Sequence, residues 1–122
     1  MEINLQNIPS LDWQLSLKLA SGNPKLATSL FAMMMISLPK EQQLINHAFQ
    51  EQQLTKLREY VHKLHGGCCY TGFKRLKYIS KQLEQEIISK NQNKIAEYII
   101  FINQEIDFLI SNYNKSHKQT IL

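Results

Sequence analysis

A chain of 122 residues, 43% of them hydrophobic, suffices for one packed domain and leaves little room for two. Only four Gly and three Pro are present, too few turns for an all-β fold rich in hairpins, while abundant Leu, Ile, Lys, Gln and Glu favour helices. The formal net charge of +4 is mild and the basic residues are scattered, so nucleic-acid binding is not expected.

Cys68 and Cys69 are adjacent and make no disulfide framework, which points to a reducing compartment. The strongest apolar stretch, residues 30–38, is too short to span a bilayer. Residues 1–10 lack the basic start and apolar run of a signal peptide. A cytoplasmic location without membrane contact is expected.

The first helix is predicted over residues 11–20, with Ser10 as its N-cap and Asp12 favouring its positive start. Ser21-Gly22-Asn23 ends it, and Pro24 suits the first position of the second helix. There Met33 is in phase with Leu26 and Leu30 as core, with Leu44 and Ala48 further on. Pro39 predicts either a kink or two consecutive helices. The third helix covers residues 53–69. The fourth starts near Gly72 and buries Phe73, Leu76, Ile79, Leu83 and Ile87. The fifth covers residues 91–113, where Ile95, Ile99, Ile102, Ile106, Leu109 and Tyr113 form one apolar stripe. Short connections force antiparallel neighbours. The expected fold is all-α: an up-down antiparallel four-helix bundle with a short extra N-terminal helix. Its expected divisions are an N-terminal extension over 1–10, the bundle over 11–113 and a polar tail over 114–122.

The third helix carries the chemistry. At about 100° per residue, Thr55, Arg58, Glu59, His65, Gly66 and Cys69 share the face of His62, opposite Leu57, Tyr60, Val61, Leu64 and Cys68. His62 therefore points away from the apolar side. Gly66 sits one turn later on the same exposed face, where a glycine costs a helix about 1 kcal/mol relative to Ala. Two readings are open: a bare surface that lets another protein's backbone approach the ring, or a Gly66-Gly67 pair that merely frays the helix end.

Neutral imidazole is a nitrogen nucleophile near neutral pH and can attack an aspartyl phosphate in line. The outer nitrogen, Nε2, projects furthest from the backbone. Such chemistry needs positive charge for the phosphoryl oxygens, with His65, Arg58, Lys63 and Lys74 as candidates. Glu59, one turn before His62, either orients the ring or pairs with Lys63.

The segment Val61-His62-Lys63-Leu64-His65-Gly66-Gly67-Cys68-Cys69-Tyr70-Thr71-Gly72 resembles the signature of histidine phosphotransfer (HPt) domains. That signature has a His, an apolar residue two later, a Lys or His, then Gly and small residues. The form with His65 in place of the more usual Lys is similar to the domain ending BarA/GacS-type hybrid sensor kinases, as are Leu11-Asp12-Trp13 and Leu38-Pro39. The resemblance covers residues 11–109, the fifth helix in pattern only. It implies that His62 is the phosphoacceptor and that the partners are receiver domains of a hybrid kinase and of a response regulator. The receivers would supply the Mg²⁺ and the phosphoaspartate. It implies no ATP site, cofactor or metal of the domain's own. His65, unlike a Lys, has the option of being neutral at pH 7.

Two rivals belong to other classes. His62, His65, Cys68 and Cys69 are zinc-ligand types on or near one helical face, though no second ligand pair with suitable spacing appears. His47 and His117 are isolated and read as surface residues. The other rival is a non-catalytic helical interaction module, using the basic stripe Lys74, Arg75, Lys77 and Lys81 or the adaptable Met33-Met34-Met35 run. The stripe reads equally as a solvated face. Trp13 suits either a cap on the bundle or a partner interface. No Walker-type loop or nucleotide-binding signature is present, and a monomer is expected.

Overall fold

The structure, a computed structural model, describes residues 4–114. Five α-helices follow a 3-10 turn at Leu5–Asn7: α1 Trp13–Leu19, α2 Pro24–Gln50, α3 Leu54–Cys68, α4 Lys74–Ser89 and α5 Gln92–Leu109, the last running into a π turn at Ile110–Asn114. Helices α2 to α5 pack α2 on α3, α3 on α4, α4 on α5 and α5 back on α2, closing a four-helix bundle. The short α1 lies against α2.

Local chemistry sets the helix ends. The side chains of Asp12, Asn23 and Asn91 accept the Leu15, Leu26 and Lys94 N–H groups at 3.0, 3.2 and 3.2 Å, capping α1, α2 and α5. Asp12, not Ser10, is thus the cap of α1. Ser10 instead accepts a hydrogen bond from Arg75 Nη1 at 3.0 Å. Lys90 closes α4 in the left-handed conformation at φ 58°, which turns the chain into α5 within two residues.

Helix α2 runs unbroken through Pro39, which excludes the second of the two alternatives expected there, a pair of consecutive helices. Pro39 lies on the exposed side, while Met34, Met35 and Leu38 before it and Ile45 and Ala48 after it are buried. Core packing on both sides offsets the hydrogen bond that the proline removes. The phase expected for this helix is also corrected. Met33 and Leu26 are exposed at 66% and 45%, and the buried residues are Ala27, Met34, Met35, Leu38, Ile45 and Ala48, the last as expected. Met35 aside, the steps between them are seven, four, seven and three, so the stripe follows the coiled-coil spacing rather than the leucines.

The core holds Leu57, Val61, Leu64 and Cys68 of α3, Leu76, Ile79, Leu83 and Ile87 of α4, and Ile95, Ile99, Ile102, Ile106 and Leu109 of α5. At one end Phe31 stacks on buried Phe73 (centroids 5.5 Å apart), and half-exposed Trp13 meets Phe31 edge-on at 6.4 Å. Trp13 therefore caps the bundle through Phe31. Between α2 and α5, Asn46 and Asn103 exchange two amide hydrogen bonds at 2.9 and 2.8 Å, a polar pair that fixes the register of these two helices.

The segment before α1 is held by Arg75 of α4. Its Nε donates to the carbonyls of Leu5 and Ile8 at 2.9 and 2.8 Å, and its Nη1 to Ser10 Oγ and to Glu105 Oε1 of α5. Glu105 is buried, which pushes its pKa above the usual carboxylate range despite Ser10 and Arg75. Arg75 is thus committed to internal bonds and is not part of a solvated basic stripe. Residues 115–122, including His117, lie outside the described residues.

Candidate functional site

The face assignment for α3 matches the observed burial. Leu57, Val61, Leu64 and Cys68 are at most 0% exposed, whereas Thr55, Arg58, Glu59 and His62 are exposed. The His62 side chain is 72% accessible. A Cβ built on Gly66 meets nothing within 4 Å, so the glycine one turn beyond His62 leaves open surface. Gly67 differs: its Cβ would lie 3.2 Å from Met34 Sδ, because here α2 and α3 pack closely. Both glycines are helical, and α3 continues through them to Cys68.

The carboxylate at the His62 ring comes from α4. Glu84 Oε2 lies 2.9 Å from His62 Nδ1, and the same oxygen is 3.8 Å from Arg58 Nε. A carboxylate oxygen only accepts, so Nδ1 is the nitrogen that carries hydrogen. In the neutral ring this leaves the Nε2 lone pair free on the side away from Glu84. Glu59, the carboxylate expected to orient the ring or to pair with Lys63, takes no ion-pair partner among the described residues. Glu84 was not legible in the sequence. It belongs to another helix, and only the α3–α4 register brings it to His62.

His65, one turn after His62, leans between α3 and α4, and its Nε2 is buried without a hydrogen-bond partner. Burial pushes its pKa below the usual histidine value, and the nearby charges of Lys77 and Lys81 push the same way. At neutral pH the ring is therefore uncharged. Lys63 faces the α2 side, where its charge is felt by Glu41. Lys74 Nζ is 2.9 Å from Asp12 Oδ2 at the α1–α4 junction. The Leu15 N–H, followed by Lys74, holds Asp12 below the usual carboxylate range. Cys69 is a half-buried free thiol.

The metal reading loses one of its four candidate ligands, Cys68. Cys68 is 0% exposed and turned into the core, and burial raises its thiol pKa far above the usual range. Among the described residues, no three His, Cys, Asp or Glu side chains are grouped to hold a metal ion. No described helix is long and apolar enough to cross a membrane.

Gly72, between α3 and α4, is the second residue whose role needed the structure. A Cβ there would collide with the Asp12 carbonyl and the Ser16 hydroxyl. Its own N–H donates to Ser16 Oγ at 2.9 Å, and its carbonyl accepts the Asp12 N–H at 2.8 Å. Glycine is required here because α1 sits directly on the backbone that starts α4.

Three comparisons place this arrangement. The family model described as Hpt domain matches residues 29–110. The chain is 31% identical over 96 residues to the signal transduction histidine-protein kinase BarA of Escherichia coli K12, which covers 79% of this chain and 10% of that protein. It is 34% identical over 74 residues to the sensor protein GacS of Pseudomonas syringae, covering 61% of this chain and 8% of that one. The chain thus spans about a tenth of the length of these relatives. The crystal structure of the HPT domain from a Shewanella sensor hybrid histidine kinase superposes with a TM-score of 0.81 at 23% identity, covering 95% of this chain and 97% of that one. The all-helical fold is shared with that domain, and by the family match this chain belongs to the Hpt domain family.

Proposed function

We propose that this chain is a phosphorelay intermediate. His62 accepts a phosphoryl group from the phosphoaspartate of a receiver domain and passes it to the aspartate of a response regulator. The observation that carries the reading is the His62 ring itself, 72% accessible, with Nδ1 bound to Glu84 and Nε2 free.

The chemistry asks little more of the domain. The Nε2 lone pair forms the new P–N bond while the P–O bond to the receiver aspartate breaks, and that carboxylate leaves with the electron pair. No proton has to leave Nε2. The ring gains positive charge as the bond forms, and the Glu84 carboxylate stabilises it through Nδ1–H. Return transfer reverses each step. The Mg²⁺ needed at the aspartate belongs to the receiver, and the domain uses no cofactor of its own. In this reading His65 serves as a neutral neighbour rather than a cation.

Docking uses the open face of α3. Glu59, Lys63, Gly66 and Cys69 line it, and Gly66 lets the receiver backbone approach. Exposed Met33 and Ile36 lie on the stretch of α2 that abuts Gly67 and extend the face with apolar surface. The interface is small and transient, as suits a monomeric carrier that must release each partner. The likeness to BarA and GacS supports placing the chain in a hybrid sensor kinase.

The test is phosphotransfer from a phosphorylated receiver of the source organism to wild type and to His62→Gln. Wild type is expected to become an acid-labile, base-stable phosphoprotein, and the variant to stay unlabelled. Equal labelling of the two would overturn the assignment.

A further inference from the structure

A phosphoryl group on His62 is a dianion on an exposed ring, and it needs a counter-charge from this chain once the receiver has left. Several expected sources are otherwise engaged. His65 is neutral by burial. Lys74 is paired with Asp12 at 2.9 Å. Lys63, the next residue in the chain, projects about 100° round the helix from His62, and its charge is felt by Glu41 of α2. Arg75 is bound to the N-terminal segment and to Glu105.

Arg58 is placed differently. It stands one turn before His62, at the i,i+4 spacing that puts two side chains on one helical face. Its side chain is 57% exposed, and its Nε is 3.8 Å from Glu84 Oε2, beyond hydrogen-bond distance. That same oxygen takes the His62 Nδ1 hydrogen at 2.9 Å. One carboxylate oxygen thus anchors the nucleophile and loosely holds a guanidinium beside it. When the phosphoryl group forms on Nε2, it offers three acceptor oxygens against the single oxygen already used by His62. A planar guanidinium binds such a group through paired N–H donors.

We propose that Arg58 is the counter-ion of phosphorylated His62. The guanidinium leaves Glu84 for the phosphoryl oxygens when the group arrives and returns when it departs. Glu84 keeps its bond to Nδ1 throughout. Lys77 and Lys81 of α4 act on His65, whose pKa their charges lower, and among the described residues neither forms an ion pair with Glu84 as Arg58 does. This inference rests on His62 as phosphoacceptor and adds the residue that sets the charge state of the bound phosphoryl group.

The experiment loads the 122-residue chain with phosphoramidate, a small-molecule phosphoryl donor, and follows the ³¹P resonance of the phosphohistidine against pH. A cation bound to the group lowers its pKa. Arg58→Ala and Arg58→Gln are expected to raise it by roughly half a unit, the size of an exposed charge pair, and Arg58→Lys by less. The difference should shrink as salt is added. The Arg58 Nε–H resonance of wild type should move on phosphorylation and stay put in His62→Gln. An unchanged phosphoryl pKa in Arg58→Ala, or a larger rise in Lys77→Ala or Lys81→Ala, would overturn the assignment of Arg58 alone. If no ³¹P signal depends on His62, the phosphoacceptor reading falls and this one with it.

Discussion

Glu84 accepts the His62 Nδ1 hydrogen at 2.9 Å across the α3–α4 groove, although the two residues are 22 positions apart in the chain. The bond is asymmetric in exposure: the histidine side chain is 72% accessible and the glutamate 16%. A largely covered carboxylate therefore orients a ring that is otherwise surrounded by solvent. It selects the tautomer in which Nε2 has the lone pair.

Removing that carboxylate should leave the fold intact and disturb the ring. In Glu84→Ala the tautomer with hydrogen on Nε2 should gain population, readable from the ring nitrogen shifts. Phosphoryl uptake from a receiver should slow about fivefold, the equivalent of about 1 kcal/mol for a hydrogen bond at so exposed a histidine. Glu84→Gln should retain much of the orientation through its amide oxygen while losing the charge. Identical ring shifts in wild type and Glu84→Ala would show that Glu84 does not fix the tautomer.

The glycines should separate docking from folding. Gly66→Ala adds a Cβ that meets nothing and relieves backbone entropy, so stability should rise by about 0.5–1 kcal/mol. Gly66→Leu should remain folded and lose receiver binding, because the bulk lands on the open face beside His62. Gly72→Ala should instead lose about 2 kcal/mol or more, since its Cβ collides with backbone that cannot move alone. Urea titration measures both stability effects, and receiver titration the docking effect. A destabilised Gly66→Ala would mean that the helix end, not a partner, requires this glycine.

The contrast between these glycines also marks how far the sequence could be read. Phase within one helix was legible: Leu57, Val61 and Leu64 opposite His62 set the exposed face of α3, and the isoleucines of α5 set its buried stripe. Contacts between helices were not. Periodicity says which side of α4 is buried but not which of its turns faces His62, so Glu84 stayed hidden among ordinary surface acids. Arg75 looked like one member of a basic stripe, yet its guanidinium is spent on Leu5, Ile8, Ser10 and Glu105. Phase failed in α2 because two of the three consecutive methionines are buried and the leucines of its first turns are not. Any of three neighbouring Met residues satisfies an apolar stripe, and packing between helices selects Met34, which abuts Gly67, together with Met35.

His65 makes a pH prediction whose sign follows from burial. Its folded pKa lies below the ordinary 6.5, with desolvation the largest cause and the charge of Lys77 next. The unfolded chain therefore binds this proton more readily than the folded one. The stability contributed by the neutral ring is present above pH 6.5 and is lost as pH falls through the lowered folded value. His65→Gln keeps a polar side chain of similar length and removes the titration. Its melting temperature should fall less than that of wild type between pH 6.5 and 5. The comparison isolates His65, because every other titrating group is common to both proteins. Parallel melting curves across that range would mean that the ring accepts its proton as easily in the folded groove as in water. His65 would then stand beside His62 as a cation in mildly acidic solution, and the requirement for Arg58 there would weaken.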